Sequence, residues 1–243
     1  MLEAGLWGLG GASALVLGAV AALTLKVNDR WVGLLMAFGS GALISALAFD
    51  LTEEAFSHGG TAPVAIGLAA GALVFFGGNE ILKARGAARR GDAVASVDEG
   101  SGPAIVLGAL LDGIPESVVL GSTLLAGTGV GIPFLAAVFI SNVPEAFSAA
   151  VDLRRSGHQP AWIIRLWVIV ALASGLAAAL GYQLLGDMGA SELVPFIQAF
   201  AAGAILTMLV DTMIPDAFRD GGRAAGLAST FGFALAFLLS KAS

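Results

Sequence analysis

The chain has 243 residues, 57% hydrophobic and only 12% charged, with 34 Gly, no Cys and a formal net charge of −6. So apolar a composition excludes an ordinary water-soluble domain and points to a polytopic helical membrane protein, whose many small residues let helices approach closely in lipid. The missing Cys excludes disulfides and thiolate metal ligands, and no basic tract or stacking platform points to nucleic acid.

Eight apolar runs follow one another near 6–26, 31–55, 62–83, 103–126, 131–152, 161–185, 192–216 and 223–241. Each is long enough to cross about 30 Å of hydrocarbon as a helix. The first begins after Glu3 rather than a basic segment, so it reads as a retained span and not a cleaved leader. Between the third and fourth runs, residues 84–102 are rich in Arg, Gly, Ala and acids and read as a solvated loop. The whole of 1–243 reads as one transmembrane domain.

Charge placement sets an orientation. Lys26, Arg30, Lys83, Arg85, Arg89, Arg90, Arg154, Arg155, Arg165, Arg219 and Arg223 fall in alternate connections, while Lys241 alone falls on the other side. Both termini are therefore expected outside, and the loops holding those basic residues in the cytoplasm. Asp50 comes out toward the outer mouth and Asp211 toward the inner one. They are candidates for the cation entrance and release, although solvated helix-end charges fit them as well, as they fit Glu53, Glu54 and Asp216. His58 and His158 read as polar loop residues. Asn79 and Glu80 read as structural partners of Lys83 or Arg85.

The second run carries an echo of the seventh. Gly41-Ala42-Leu43-Ile44-Ser45-Ala46-Leu47-Ala48-Phe49-Asp50 resembles Gly203-Ala204-Ile205-Leu206-Thr207-Met208-Leu209-Val210-Asp211, and each continues to an acid before an Ala-Phe pair. The two copies run in opposite directions across the membrane. The expected fold is therefore all-α and integral to the membrane, with eight transmembrane helices. The first to third and the sixth to eighth form an inverted repeat around the fourth and fifth.

That central pair carries the chemistry. The fourth run contains Asp112-Gly113-Ile114-Pro115-Glu116-Ser117 and the fifth Ser141-Asn142-Val143-Pro144-Glu145. Asp112 and Glu116 are spaced i, i+4 on one helix face, and Ser141, Asn142 and Glu145 can gather their oxygens on one side. Pro115 and Pro144 cannot donate to the helix ladder, which frees the carbonyls of Leu111 and Ile140. A membrane-embedded carboxylate costs several kcal/mol and requires a partner. A shared cation satisfies three of them; protonation or internal hydrogen bonding is the other solution. Ser141 also fits as a packing hydroxyl and Asn142 as interhelical glue.

With its Pro-Glu motifs in the fourth and fifth runs, and with Phe38-Gly39-Ser40-Gly41-Ala42-Leu43 and Phe200-Ala201-Ala202-Gly203-Ala204-Ile205, the chain resembles the ZIP (Zrt/Irt-like) divalent-metal transporters, particularly the prokaryotic GufA-like branch. In that family the fourth helix usually reads His-Asn-x-Pro-Glu-Gly and the fifth carries a His or Gln before an Asn, Asp or Glu. Here Asp112 stands for the His, Gly113 for the Asn, and Ser141 for the stronger ligand of the fifth helix. Leu43 stands where that branch can offer a Met. The resemblance implies a metal site of Asp112, Glu116, Ser141, Asn142 and Glu145. Its donors are all oxygen, which leaves Zn²⁺, Cd²⁺, Mn²⁺ and Fe²⁺ open as the ion.

The resemblance further implies transport of a divalent metal toward the cytoplasm by alternating access in the cell membrane. It also implies a homodimer, and no cofactor besides the transported ion. Activity should fall as the acids protonate toward their ordinary range near pH 4. No nucleophile–base set and no metal-protease motif supports an enzyme. The alternative reading is a ZIP-like scaffold with lost or altered metal specificity, either non-transporting or proton-coupled.

Overall fold

The structure, a computed structural model, describes residues 1–84, 101–126, 131–187 and 193–242, and within them all side chains except those of 82–84, 101–108, 111–112, 126 and 187. The linker arginines Arg85, Arg89 and Arg90, and the Lys83 side chain, lie outside the described residues.

The apolar runs become helices because a helix satisfies its own backbone, which lipid cannot do. The elements are α1 (Leu2–Thr24), α2 (Asp29–Ala46), α3 (Glu53–Gly59), α4 (Thr61–Ala84), α5 (Ser101–Thr123), α6 (Ile132–Arg155), α7 (Pro160–Asp187), α8 (Leu193–Met208), α9 (Ile214–Gly221) and α10 (Ala225–Ala242). No strand occurs among the described residues. Among them, six stretches are helical and apolar enough to cross a membrane, the last running from Leu193 to Ala242 over 50 residues. Many outward-facing side chains are large and apolar, among them Leu6, Leu73, Ile169, Leu172 and Leu238. Such a surface suits lipid rather than water.

Three helix boundaries have clear local causes. Asn28 caps α2, its side-chain oxygen accepting from the Arg30 backbone N–H at 2.9 Å, which satisfies one of the unpaired donors of the first turn. Gly60 (φ 71°) ends α3 and Gly222 (φ 62°) separates α9 from α10. Both adopt the left-handed backbone that glycine tolerates best.

The second and seventh runs extend further than the sequence predicts. The second was expected to end near 55 but stays helical to Gly59, and the seventh, expected to end near 216, reaches Gly221. In each, a π-helical turn intervenes, Leu47–Thr52 after α2 and Leu209–Met213 after α8. These wider turns carry the ladder across the acids without ending the helix. Pro215 is the second residue of α9, directly after the π turn, and lacks the N–H that would bond back into that turn.

Glycines set the helix contacts. A Cβ on Gly41 would collide with the Ser229 carbonyl of α10, and one on Gly203 with the Leu68 carbonyl of α4. A Cβ on Gly232 of α10 would strike the Phe38 carbonyl of α2, and one on Gly71 of α4 the Phe200 carbonyl of α8. α2 therefore packs on α10 as α8 packs on α4, through main-chain approach that only small residues allow. α1 lies between α6 and α7, with Gly18 against the Val143 carbonyl and Gly8 against Ala178.

The buried apolar side chains form two main clusters. One gathers α2, α5, α6 and α8 around Met36, Leu43, Leu120, Phe134 and Ile205. The other gathers α1, α6 and α7 around Leu15, Leu153, Ile163 and Trp167. Trp167 is fully buried there, and its indole N–H has no hydrogen-bond partner among the described residues.

Candidate metal site

The fourth and fifth runs, now α5 and α6, pack as a hairpin. The Gly131 N–H donates to Thr123 Oγ1 at 3.2 Å, tying the start of α6 to the end of α5. Both helices meet α1 at Gly11, where a Cβ would lie 3.2 Å from Leu120 Cδ1 and 3.7 Å from Val138 Cγ1. From that shared level, Glu116 lies one turn back along α5 and Asn142 one turn onward along α6. In a hairpin both steps go the same way, by about 6 Å at 1.5 Å per residue.

At this depth the polar side chains are shielded from solvent. Glu116 is 2% exposed, Ser141 1%, Asn142 5% and Glu145 6%, with Ser117 also buried beside Glu116. Each of the two carboxylates takes part in an interaction within the fold. A buried carboxylate is costly when charged and uncompensated, so each is met by a hydrogen bond, a proton or a cation. Ser141 donates its hydroxyl proton to the Val138 carbonyl at 2.9 Å, leaving lone pairs on Oγ free to accept or to ligate. Behind it, α2 comes close enough that a Cβ on Gly39 would lie 2.8 Å from the Ser141 Cα. Pro115 and Pro144 both sit inside uninterrupted helices. Asp112 occupies α5 one turn before Glu116; its side chain lies outside the described residues. Among the described residues, no three His, Cys, Asp or Glu side chains converge as a metal cluster.

Asp50 and Asp211 stand apart from this pair, one in each π turn, and both are half-buried. Asp50 Oδ1 accepts from the Ser240 hydroxyl of α10, while its Oδ2 is buried without a hydrogen-bond partner among the described residues. Nearby, Lys241 Nζ lies 3.9 Å from Glu53 and 5.5 Å from the centre of the Phe49 ring. Asp216, read from sequence as a solvated end charge, is instead buried and held by Arg219 at 2.8 Å. Leu43 is fully buried in the core.

Two polar residues were missed by the sequence reading. Ser174 of α7 is 1% exposed, and its Oγ lies 3.3 Å from where a Gly113 Cβ would be. The bare face of Gly113 is thus met by a hydroxyl from another helix. Gln198 of α8 is buried, with its amide near the Glu54 carboxylate. A lone amide in an apolar run was a signal that could have found Gln198. A serine in such a run carries almost none, because it serves equally as a small packing residue.

The fold and this pair of carboxylate-bearing helices define a multi-helix membrane protein with ionisable groups held inside. The sequence profile of the ZIP zinc transporter family matches residues 101–240, more than half of the chain, and the chain belongs to that family. It is also similar to a putative zinc transporter of Arabidopsis thaliana, 28% identical over 212 residues that cover 86% of this chain and 33% of the plant protein. The chain thus spans about a third of that relative's length.

Proposed function

We propose that this protein carries a divalent metal ion, zinc or a related transition metal, across the cell membrane toward the cytoplasm. The ion is held by Asp112, Glu116, Asn142 and Glu145, with Ser141 beside them. The observation that carries this reading is the burial of Glu116, Asn142 and Glu145 on adjoining α5 and α6. Each is 6% exposed or less, in helices of membrane-spanning length. A charged carboxylate so placed is costly in a membrane, and a bound cation offsets that cost while the site is loaded. The acid-rich donor set widens the ion choice beyond Zn²⁺, since no imidazole or thiolate belongs to it.

In this reading the chain is a single transmembrane unit that crosses the bilayer eight times with both ends outside. The crossings are α1, α2 with α3, α4, α5, α6, α7, α8 with α9, and α10. The inverted repeat is supported by the matched contacts of Gly41 and Gly203 with backbone carbonyls, and by the π turn that follows each of them. Access to the central site then alternates as one part of the helix set moves against the other. Two copies pair in the membrane, and no cofactor takes part.

The test is ion uptake into proteoliposomes. Wild-type protein should accumulate Zn²⁺, or another of Cd²⁺, Mn²⁺ and Fe²⁺, down an imposed gradient. Glu116→Ala protein, inserted to the same level, should fall to the rate of empty liposomes. Undiminished uptake by that variant would overturn the site, and no uptake of any ion by the wild type would overturn the function.

A further inference from the structure

Two cavities adjoin at the end of the molecule that carries most of the basic residues. The first is a groove of about 670 Å³ between α2, α6 and α10, walled by Trp31, Leu35, Phe38, Pro144, Phe147 and Phe231. Its lining is entirely apolar, and Trp31 and Phe231 are 69% and 67% exposed at its rim. The second, about 620 Å³, is lined by Arg30, Arg219, Asp220 and Arg223 together with small and apolar residues. The two share an edge: Arg30 lines one and Trp31 the other, and likewise Leu227 and Ala228.

The charges in the second cavity do not balance. Arg219 is matched by Asp216 at 2.8 Å and by Asp220 at 3.0 Å. The guanidinium groups of Arg30 and Arg223 have no hydrogen-bond or ion-pair partner among the described residues. Two unmatched guanidinium groups suit the oxygens of a phosphodiester, which they can grip in bidentate fashion. An apolar trough running from them suits a hydrocarbon tail. From Arg30 to Phe38 the trough follows α2 for about 12 Å at 1.5 Å per residue, which is most of one leaflet's hydrocarbon depth. Trp31, at the junction, has the amphipathic ring that favours the headgroup boundary.

We propose that the paired cavities bind one anionic phospholipid, its headgroup phosphate between Arg30 and Arg223 and one acyl chain in the α2–α6–α10 groove. A zwitterionic lipid fits less well, because its own ammonium would compete for the phosphate that the arginines need. The acyl chain would lie against Val143 and Pro144, the residues directly between Asn142 and Glu145. The lipid thereby braces the segment of α6 that bears the candidate metal site. The inference rests on the membrane placement proposed above, but its test does not read metal transport, so the two can fail separately.

The experiment uses purified, delipidated full-length protein, with retained lipid counted by native mass spectrometry and stability followed by thermal unfolding. Phosphatidylglycerol should be retained in preference to phosphatidylcholine by roughly tenfold or more, the order expected of two cationic side chains, and should raise Tm. Arg30→Gln with Arg223→Gln should erase the preference, and Arg223→Gln alone, at an exposed site, should reduce it. Leu35→Trp, which fills the groove and leaves both arginines in place, should lower retention of both lipids. Equal retention of the two lipids by wild type, or a preference that survives the double substitution, would overturn the proposal. Stabilisation by inorganic phosphate equal to that by phosphatidylglycerol would also overturn it, because the site would then hold a phosphate and no tail.

Discussion

Gly41 and Gly203 make the same contact at corresponding places in two different helix pairs. Each presents its bare Cα to a backbone carbonyl, of Ser229 in one case and Leu68 in the other. The recurrence extends along the chain, since a π turn follows each glycine and a left-handed glycine, Gly60 or Gly222, follows each of those turns.

A side chain at either glycine must push two helices apart. Gly41→Ala and Gly203→Ala are each expected to cost about 1–3 kcal/mol, as overpacking of a tight contact does. Each should lower Tm in detergent. Gly10→Ala is the control, because no atom of the described residues lies within 4 Å of the Cβ it would add, and its Tm should not fall. Equal Tm values for all three variants would show that the close approach is not what holds these helix pairs.

Ion preference should follow the donor at position 112. Asp112→His places an imidazole one turn before Glu116 and removes a negative charge. Imidazole suits zinc, whereas carboxylate suits harder ions. The expected outcome is a higher ratio of Zn²⁺ to Mn²⁺ uptake in proteoliposomes with both ions present. An unchanged ratio would place position 112 outside the ion's coordination.

Asp50 and Ser240 give a prediction that separates structure from transport. Ser240→Ala removes the donor to Asp50. It should destabilise the protein by about 1.5–3 kcal/mol, the range for hydrogen bonds to charged groups. Asp50→Asn keeps an acceptor oxygen but removes a charge that, if Asp50 lies at a cation entrance, draws the ion in. That variant should hold its Tm and raise KM for the ion without lowering the maximal rate. A fall in maximal rate at unchanged KM would assign Asp50 to a later step.

The Asn28 cap is a purely local feature and offers a calibration. Asn28→Ala leaves the first turn of α2 with an unsatisfied donor and should cost about 1 kcal/mol. Thermal unfolding checks it, and Asn28→Asp should restore most of the loss.

The helices were legible in the sequence because lipid imposes one requirement on every span, a long apolar run with its backbone bonded internally. The Pro-Glu steps of α5 and α6 were legible because buried acids stand out in such runs. The wide turns at Leu47–Thr52 and Leu209–Met213 were not, because a π turn uses the same residue types as the helix around it. Nor was the meeting of Ser174 with Gly113. Helical spacing assigns a residue to a face, but which helix that face meets is decided by tertiary packing. Asp216 shows the same limit: its Arg219 partner three residues on was visible, its burial was not.

Trp167 gives the molecule an optical reporter of its own. Its indole sits at the seam of α1, α6 and α7, its N–H without a partner among the described residues, so its fluorescence emission should be strongly blue-shifted. Water entering that seam would find the N–H at once and move the emission to longer wavelength. With Trp7, Trp31 and Trp162 replaced by Phe, a single spectrum would show whether the α1–α7 wall opens when metal is added, with no label attached.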